Sequence, residues 1–562
     1  MHVSPLFEPR APRWFTPRSS LPCALLMGAL LCLASVSRSW AEAPTIDVSG
    51  TFNTFLADEA FPAQYKRLLE LEEQAQALIE DEPLKLGSIG AAILDIYPGS
   101  QTGHMVMQAY YEHLEVADAA AAHNQALTTL HAAMDASADG TPERPYRVMT
   151  VWDAQAYARH HGNSPVGSIY QSSKPAPFGY MLVTRPPEGK LRQVFFDLSH
   201  VSRSLLPPEL PGSDEAHPQI DSPWPLIRLF ATQSDTAAQT AIGAYLASAD
   251  KLEEAVGWLL VASRPGNLLA NTLLARIYWT QAEASEDAEE QTELRELSLE
   301  NHLHAIALGS TESMYTLANL YLADYYGEEN RISGVPLLEQ AGDRGHVEAL
   351  IYLGHLYSTG NTVDADSARA KEFYERAAAL KDADAILRYG RYLTAGDHVV
   401  TDENHIVDWL TELARGASPE AAQAMVVLGN LHARSLVPKP SHRKAVGWYK
   451  RAVRKAPEDP DIVNEVAWTL TVTDVEGLQR ARYARRIMNK LMDRNEDANA
   501  RPEYLDTWAA TYAANGEFPR AIELQNKAID VARAQARDDV MDILTTHLEI
   551  FKRGETITER AP

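Results

Sequence analysis

The chain has 562 residues, of which 45% are hydrophobic and 23% are charged, so it has the composition of a folded protein but is too long for one ordinary core. Its formal net charge is −25. Binding nucleic acid or an anionic membrane surface requires clustered Lys and Arg, so the overall charge argues against both kinds of partner.

Residues 1–43 have the pattern of a secretory signal peptide. Three arginines precede the apolar run 21–36, and Ala41-Glu42-Ala43 follows as a small-x-small cleavage pattern. The run is shorter than the roughly 20 residues that a membrane span needs, and no later segment is apolar enough to cross a bilayer. We expect cleavage near 41–43 and export to the periplasm, with secretion or an uncleaved anchor as the alternatives.

The two cysteines, Cys23 and Cys32, both lie within this signal. A lipoprotein signal needs a small residue before the lipid-bearing Cys, but Pro22 and Leu31 stand there, so we do not expect a lipoprotein. The mature chain would then have no disulfide, thiolate nucleophile or cysteine metal site.

Residues 44–202 are expected to form a helical pair followed by a small α+β module. The helical spacing covers 44–137, with Pro98 and Gly99 between the two runs. We predict three or four strands in a largely antiparallel sheet and one short helix at 152–161. The β-prone segments are 146–151, 166–172, 178–184 and 192–198.

This module resembles an uncharacterised bacterial domain in which a helical pair leads into such a sheet. The shared features are Tyr97-Pro98, the Asp139-Gly140 turn and the Val194-Phe-Phe-Asp197 strand. That family implies no activity. Five prolines with several acidic residues follow, so we predict a linker at 203–234.

The rest of the chain carries an internal repeat of two helices. The first helix has a small residue preceded by a large apolar one, and the small residues are Gly243, Ala275, Ala318, Gly354, Gly390, Gly429, Ala467 and Ala509. The second helix has a small–large–small triplet at spacing 0, 4 and 7, which keeps all three on one face. The triplets begin at Ala255, Gly334, Ala370, Ala445 and Ala521. Close packing of two helices explains this pattern.

Residues 349–378 match this pattern most fully, from Leu353-Gly354 and Tyr357 to Ala370, Tyr374 and Ala377-Ala378. They resemble the Sel1-like repeat, a subfamily of the tetratricopeptide superfamily. The resemblance implies a mainly α fold, an α–α solenoid forming a right-handed superhelix over residues 235–555, with a tail at 556–562. One copy carries an acidic insertion, Glu283 to Glu300.

Signatures of catalysis and of metal binding are missing from the sequence. There is no Gly-x-Ser-x-Gly elbow, phosphate-binding loop, dinucleotide fingerprint or His-Glu-x2-His pair. His160, His161 and His200 could meet in space, but we interpret them as surface or turn histidines, and the acidic run 286–291 as a solvated loop. We therefore expect no enzyme, no cofactor and no metal.

The resemblance also implies a binding surface, because stacked pairs line a concave face with their first helices. In this family that face takes the residue after the small residue and those three and six before it. The implied candidates are Tyr315, Asn319, Glu348, His355, Arg391 and Asn430, with Glu312, Ile351, Asp384, Leu387, Gln423 and Val426 at the matching positions. This mixture suits a protein or peptide partner.

We therefore expect an exported scaffold or adaptor of the cell envelope. The alternative is a small-ligand-binding or enzymatic N-terminal module that the repeat array docks.

Overall fold

A computed structural model describes residues 48–79, 82–205, 224–396, 398–400, 405–475 and 477–559. The predicted signal, both cysteines and most of the predicted linker lie outside the described residues. Within this part of the chain, no helix has the length and apolar character needed to cross a lipid bilayer. Two compact units are present: the described residues up to Thr184 with Gln193–Ala241, and Arg185–Arg192 with the described residues from Ile242 onward.

The first unit contains more helices than the expected pair, because turns divide both runs. Ser100 begins the helix after Pro98-Gly99, its hydroxyl accepting from the N–H of Gly103 at 3.0 Å. Glu115, with φ of 58°, ends the same helix in the left-handed region. The helices are α1 Val48–Leu56, α2 Phe61–Leu78, α3 Leu86–Ile96, α4 Gln101–His113, α5 Ala117–Ser137, α6 Val151–His160, α7 Ser199–Leu205 and α8 Trp224–Thr232.

A four-stranded sheet follows α5, with strand order β1-β4-β3-β2. Its strands are β1 Tyr146–Arg147, β2 Ser164–Gln171, β3 Gly179–Arg185 and β4 Arg192–Asp197. β1 pairs with β4 in parallel, Tyr146 opposite Phe196. The other two pairs are joined by connections too short for a parallel crossover, so they are antiparallel. β1 ends earlier than predicted because Thr150 caps α6, its hydroxyl accepting from Asp153 N–H at 3.1 Å.

From Thr236 onward the described chain is built from helix pairs, and we call the two helices of each pair A and B. The A/B pairs are α9/α10 through α23/α24, and each predicted small residue lies in an A helix. The helices are α9 Thr236–Ser248, α10 Leu252–Ser263, α11 Leu268–Ala284, α12 Ala288–Ala307, α13 Thr311–Leu322, α14 Gly334–Asp343, α15 Val347–Thr359, α16 Ser367–Ala379, α17 Ala383–Ala395, α18 Ile406–Arg415, α19 Ala421–Ala433, α20 His442–Lys455, α21 Pro460–Val472, α22 Ala481–Arg494, α23 Pro502–Ala513, α24 Phe518–Ala534 and α25 Asp538–Lys552.

The small residue of each A helix allows the large residue of its B helix to approach closely. A β-carbon on Gly354 would lie 2.9 Å from the ring of Tyr374, and one on Gly243 would lie 2.5 Å from Leu259. Tyr449 is completely buried beside Gly429. The described chain is therefore a mainly α array of helix pairs, preceded by a small sheet-containing unit.

The acidic insertion lengthens its pair, since α11 has 17 residues and α12 has 20. The prediction of a loop at 286–291 was wrong for most of that run. Asp287 caps α12, accepting from the N–H groups of Glu289 at 2.8 Å and Glu290 at 3.3 Å. Acidic side chains in a first helical turn are stabilised by the helix dipole, so this segment is helical from Ala288.

Candidate functional site

The candidate binding residues lie on four successive A helices, α13, α15, α17 and α19, and we call their shared surface the A-helix face. It consists of Glu312, Tyr315, Asn319, Glu348, Ile351, His355, Asp384, Leu387, Arg391, Gln423, Val426 and Asn430.

Side-chain exposure on the A-helix face differs from position to position. Glu348, His355 and Arg391 are exposed, whereas Leu387 and Val426 are buried. The exposed polar residues can therefore meet a partner, while the buried apolar ones hold the A helices together.

His346 links the first two A helices of this face. It precedes α15, and its Nδ1 accepts from the backbone N–H of Ala349 at 3.2 Å. Because Nδ1 is an acceptor, the ring proton lies on Nε2, which donates to Glu312 Oε2 at 3.3 Å. The ring of Tyr315 stacks on the imidazole, with centroids 4.8 Å apart. Three side chains thus join α13 to α15.

Arg391 and Asn430 make the corresponding links further along. Arg391 Nη2 donates to Gln423 Oε1 at 3.2 Å, joining α17 to α19. Asn430 Nδ2 donates to Glu465 Oε1 at 3.3 Å, joining α19 to α21. Asn430 is only 6% exposed, and its Oδ1 accepts from the hydroxyl of Tyr449 at 2.7 Å. It therefore positions Glu465 rather than offering a free amide.

Glu465 is accessible to solvent yet surrounded by protein, which raises the pKa of its carboxyl. The bond from Asn430 and the charge of Arg391 act in the opposite direction, while Asp461 raises the pKa further. Asp461 also accepts from the hydroxyl of Tyr504 on α23. The polar links between A helices thus continue beyond the four helices of the A-helix face.

The repeat spacing did not identify His346 or Glu465. The signal for His346 was its place directly before an A helix, where a side chain can cap the backbone. Glu465 lies two residues before the small residue Ala467, a position outside the family pattern.

The three histidines that the sequence offered as possible metal ligands, His160, His161 and His200, do not come together. His160 and His161 lie against His131, with ring centroids 4.7 and 5.1 Å from it. His200 instead contacts Phe52, and its Nε2 lies 2.9 Å from Val148 O. Among the described residues, no group of three or more His, Cys, Asp or Glu side chains could hold a metal ion.

Paired A and B helices, in register and joined along their A helices, define a helix-pair repeat protein. The Sel1 repeat family model matches residues 347–382 and 422–456. These segments contain the pairs α15/α16 and α19/α20. The chain therefore contains Sel1-like repeats, which belong to the tetratricopeptide superfamily, and repeats of this family generally mediate protein–protein interactions.

Two solved structures are similar to this chain at low identity. A Sel1 repeat protein from Oxalobacter formigenes is 19% identical, covering 45% of this chain and 96% of that one, with a TM-score of 0.31. The protective antigen c5321 of uropathogenic Escherichia coli, which displays an SLR fold, is 15% identical, covering 91% of each chain, with a TM-score of 0.43. No curated protein sequence matches the chain significantly.

Proposed function

We propose that the chain is an exported scaffold of the cell envelope that binds a protein or peptide partner along the A-helix face. The observation that carries this proposal is the series of links between successive A helices. His346 joins α13 to α15, Arg391 joins α17 to α19, and Asn430 joins α19 to α21. These links support an extended surface over several A helices, which suits a polypeptide better than a small anion.

The chemistry of the exposed and half-buried positions supports the same kind of partner. Glu348 supplies acceptors, His355 can donate or accept, and Tyr315 offers an aromatic ring held in place by His346. Aromatic residues held rigid among polar neighbours are typical anchors of protein interfaces.

Site-specific photo-crosslinking of the full chain in its native cells tests this proposal. A photoreactive residue at His355 should give a discrete adduct with another protein. Glu372, exposed on the B helix α16, is the matched control and should give none. The adduct should weaken when Tyr315 and Glu348 are changed to Ala. Equal adducts from both positions, or none from His355, would contradict binding at the A-helix face.

Export is tested separately by cell fractionation. The basic start, apolar run and small-x-small pattern of residues 1–43 support release of the mature chain into the periplasm. Osmotic shock should release a chain shorter than the full 562 residues. Retention of the full-length chain inside shocked cells, together with its absence from the medium, would overturn the export proposal.

A second candidate function rests on a cavity of about 210 Å³ in the first unit. Its walls include Tyr65, Trp152, Tyr180 and Phe230. Asp235 also lines it, with Oδ2 accepting from the hydroxyl of Tyr170 at 3.0 Å, and burial raises the pKa of this carboxyl. Aromatic walls beside a carboxyl favour a small organic molecule with a ring and an ammonium group.

Thermal unfolding of the full chain with benzylamine tests this alternative. The ligand should raise the unfolding temperature of the native chain, and D235N should lose most of that rise. Glu59 is exposed and outside the cavity, so E59Q serves as the control. The alternative is abandoned if benzylamine leaves the native chain unchanged or stabilises D235N equally.

A further inference from the structure

The B helices α20 and α22 carry an unusual concentration of positive charge for a chain with a net charge of −25. Helix α20, residues 442–455, has six Lys and Arg residues and no acidic residue. Helix α22, residues 481–494, has five Lys and Arg residues against one acidic residue, Asp493. The net charge does not reveal this local excess of basic residues, because acidic residues are in excess elsewhere in the sequence.

Ten of these eleven cations form no ion pair with any other residue that the structure describes. Two are otherwise engaged: Lys455 donates to Gly416 O at 3.0 Å, and Arg485 pairs with Glu517. We call the remaining nine the basic surface, and all except the half-buried Lys450 are exposed. They are Arg443, Lys444, Lys450, Arg451, Arg454, Arg482, Arg486, Lys490 and Arg494.

Two aromatic rings orient part of the basic surface. The guanidinium of Arg451 lies 4.7 Å from the ring centroid of Trp448. Tyr483 has Arg486 at 5.3 Å and Lys450, from the neighbouring B helix, at 5.2 Å. Stacked cations lose less conformational entropy on binding than free ones do, so this arrangement favours anion recognition.

The spacing of the cations along α22 indicates what kind of anionic molecule would match them. Arg482, Arg486, Lys490 and Arg494 are four residues apart. Each step of four residues is about 6 Å along a helix. Alternate side chains of an extended polypeptide are about 6.6 Å apart and point to the same side. An extended segment with acidic residues at alternate positions would therefore place one carboxylate near each cation.

We propose that the basic surface binds an extended acidic segment of a protein partner. This is a second interaction surface, independent of the A-helix face. Nucleic acid fits less well because both aromatic rings already carry cations, whereas base stacking needs free ring faces. A membrane fits less well because no large apolar side chain of α20 or α22 is exposed to enter the lipid.

Fluorescence anisotropy with the full chain tests the proposal. The probe is a labelled extended peptide with Glu at every second position and Ser or Thr between. The native chain should bind it, and binding should weaken as salt rises, because the contacts are exposed ion pairs. The charge reversal R482E/R486E/K490E should weaken binding at least about tenfold, a change of about 1.4 kcal/mol.

The matched control is K251E/R264E/R276E, which changes the same net charge at three exposed cations outside the basic surface. It should bind within about twofold of the native chain. The neutral variant R482Q/R486Q/K490Q should lose affinity too, and circular dichroism checks that each variant is folded. Equal binding by the native chain and the reversal variant overturns the proposal. So does tighter binding of a single-stranded oligonucleotide or of anionic lipid vesicles in the same assay.

Discussion

Tyr374 packs directly against Gly354, and a β-carbon on that glycine would lie 2.9 Å from three atoms of the ring. Tyr374 is 8% exposed, within a packed core of the array. It cannot move away without leaving its neighbours, so the A and B helices of this pair would have to separate.

We predict that G354A lowers the free energy of unfolding by about 2 kcal/mol, as overpacking typically does. Urea unfolding followed by circular dichroism measures the change. Gly447 of α20 is the control, since a β-carbon there meets nothing within 4 Å. G447A should stabilise the chain by up to about 1 kcal/mol, because Ala favours a helix more than Gly does. Destabilisation by G447A equal to that of G354A would refute the close-packing explanation.

Asn430 is predicted to contribute to stability through the hydroxyl of Tyr449. N430A leaves this buried hydroxyl without its acceptor, which should cost about 2 kcal/mol. Y449F removes the unpaired group itself, so the double variant should lose less than the sum of the two single variants. Urea unfolding of the native chain, N430A, Y449F and the double variant gives the coupling energy between Asn430 and Tyr449. Strict additivity of the two single effects would argue against this hydrogen bond contributing to stability.

Glu72 and Asp153 predict an unusual pH dependence in the first unit. Ser100 Oγ lies 3.2 Å from Glu72 Oε1 and 3.3 Å from Asp153 Oδ1, and its single proton can serve only one of them. Burial raises the pKa of Asp153 to about 6 and that of Glu72 well above its usual range. A protonated Glu72 can donate to Ser100, which then donates to Asp153.

The folded chain therefore holds protons that the unfolded chain releases. Its stability should fall as pH rises from about 4 through about 6 and beyond, toward the raised pKa of Glu72. E72Q removes one of the two ionisations, so the stability of this variant should fall less steeply toward alkaline pH than that of the native chain. Urea unfolding at a series of pH values tests this, with the exposed E59Q as control. Parallel profiles for the native chain and E72Q would exclude the shared proton.

Asp366 is predicted to stabilise the B helix α16 through its N-terminus. Its Oδ1 accepts from the N–H groups of Ala368 at 3.0 Å and Arg369 at 3.1 Å. D366A should lower the free energy of unfolding by about 1 kcal/mol. The exposed Asp364 lies in the same connection and does not cap the helix, so D364A should leave stability nearly unchanged. Equal effects of the two variants would show that the cap is unimportant.

The repeat register could be predicted from the sequence because its cause is local. A helix that packs closely against its partner needs Gly or Ala at one position, so Gly354 and Gly429 mark A helices directly. The start of α12 could not be predicted from acidity alone. An acidic run suits both a solvated loop and a helix N-terminus, and the cap made by Asp287 decides between them.

The candidate site was less predictable, because spacing locates a position but does not give its neighbours. Asn430 lies at the expected position on its A helix. Its amide is not free for a partner, however, because it already forms hydrogen bonds with Tyr449 and Glu465. His131 joins His160 and His161 because α5 and α6 meet, and nothing in their spacing indicates this. The net charge likewise averages over the chain and conceals the cations of α20 and α22.

The placement of those cations should affect the rate at which the second unit associates with other molecules. Charges separated across a protein create a permanent electric dipole. The field of this dipole orients a charged protein as it approaches, before the two surfaces come into contact. An acidic molecule would be repelled by most of this chain and drawn toward α20 and α22. The second unit would thus select the direction of encounter, and raising the ionic strength would slow association more than it would speed dissociation.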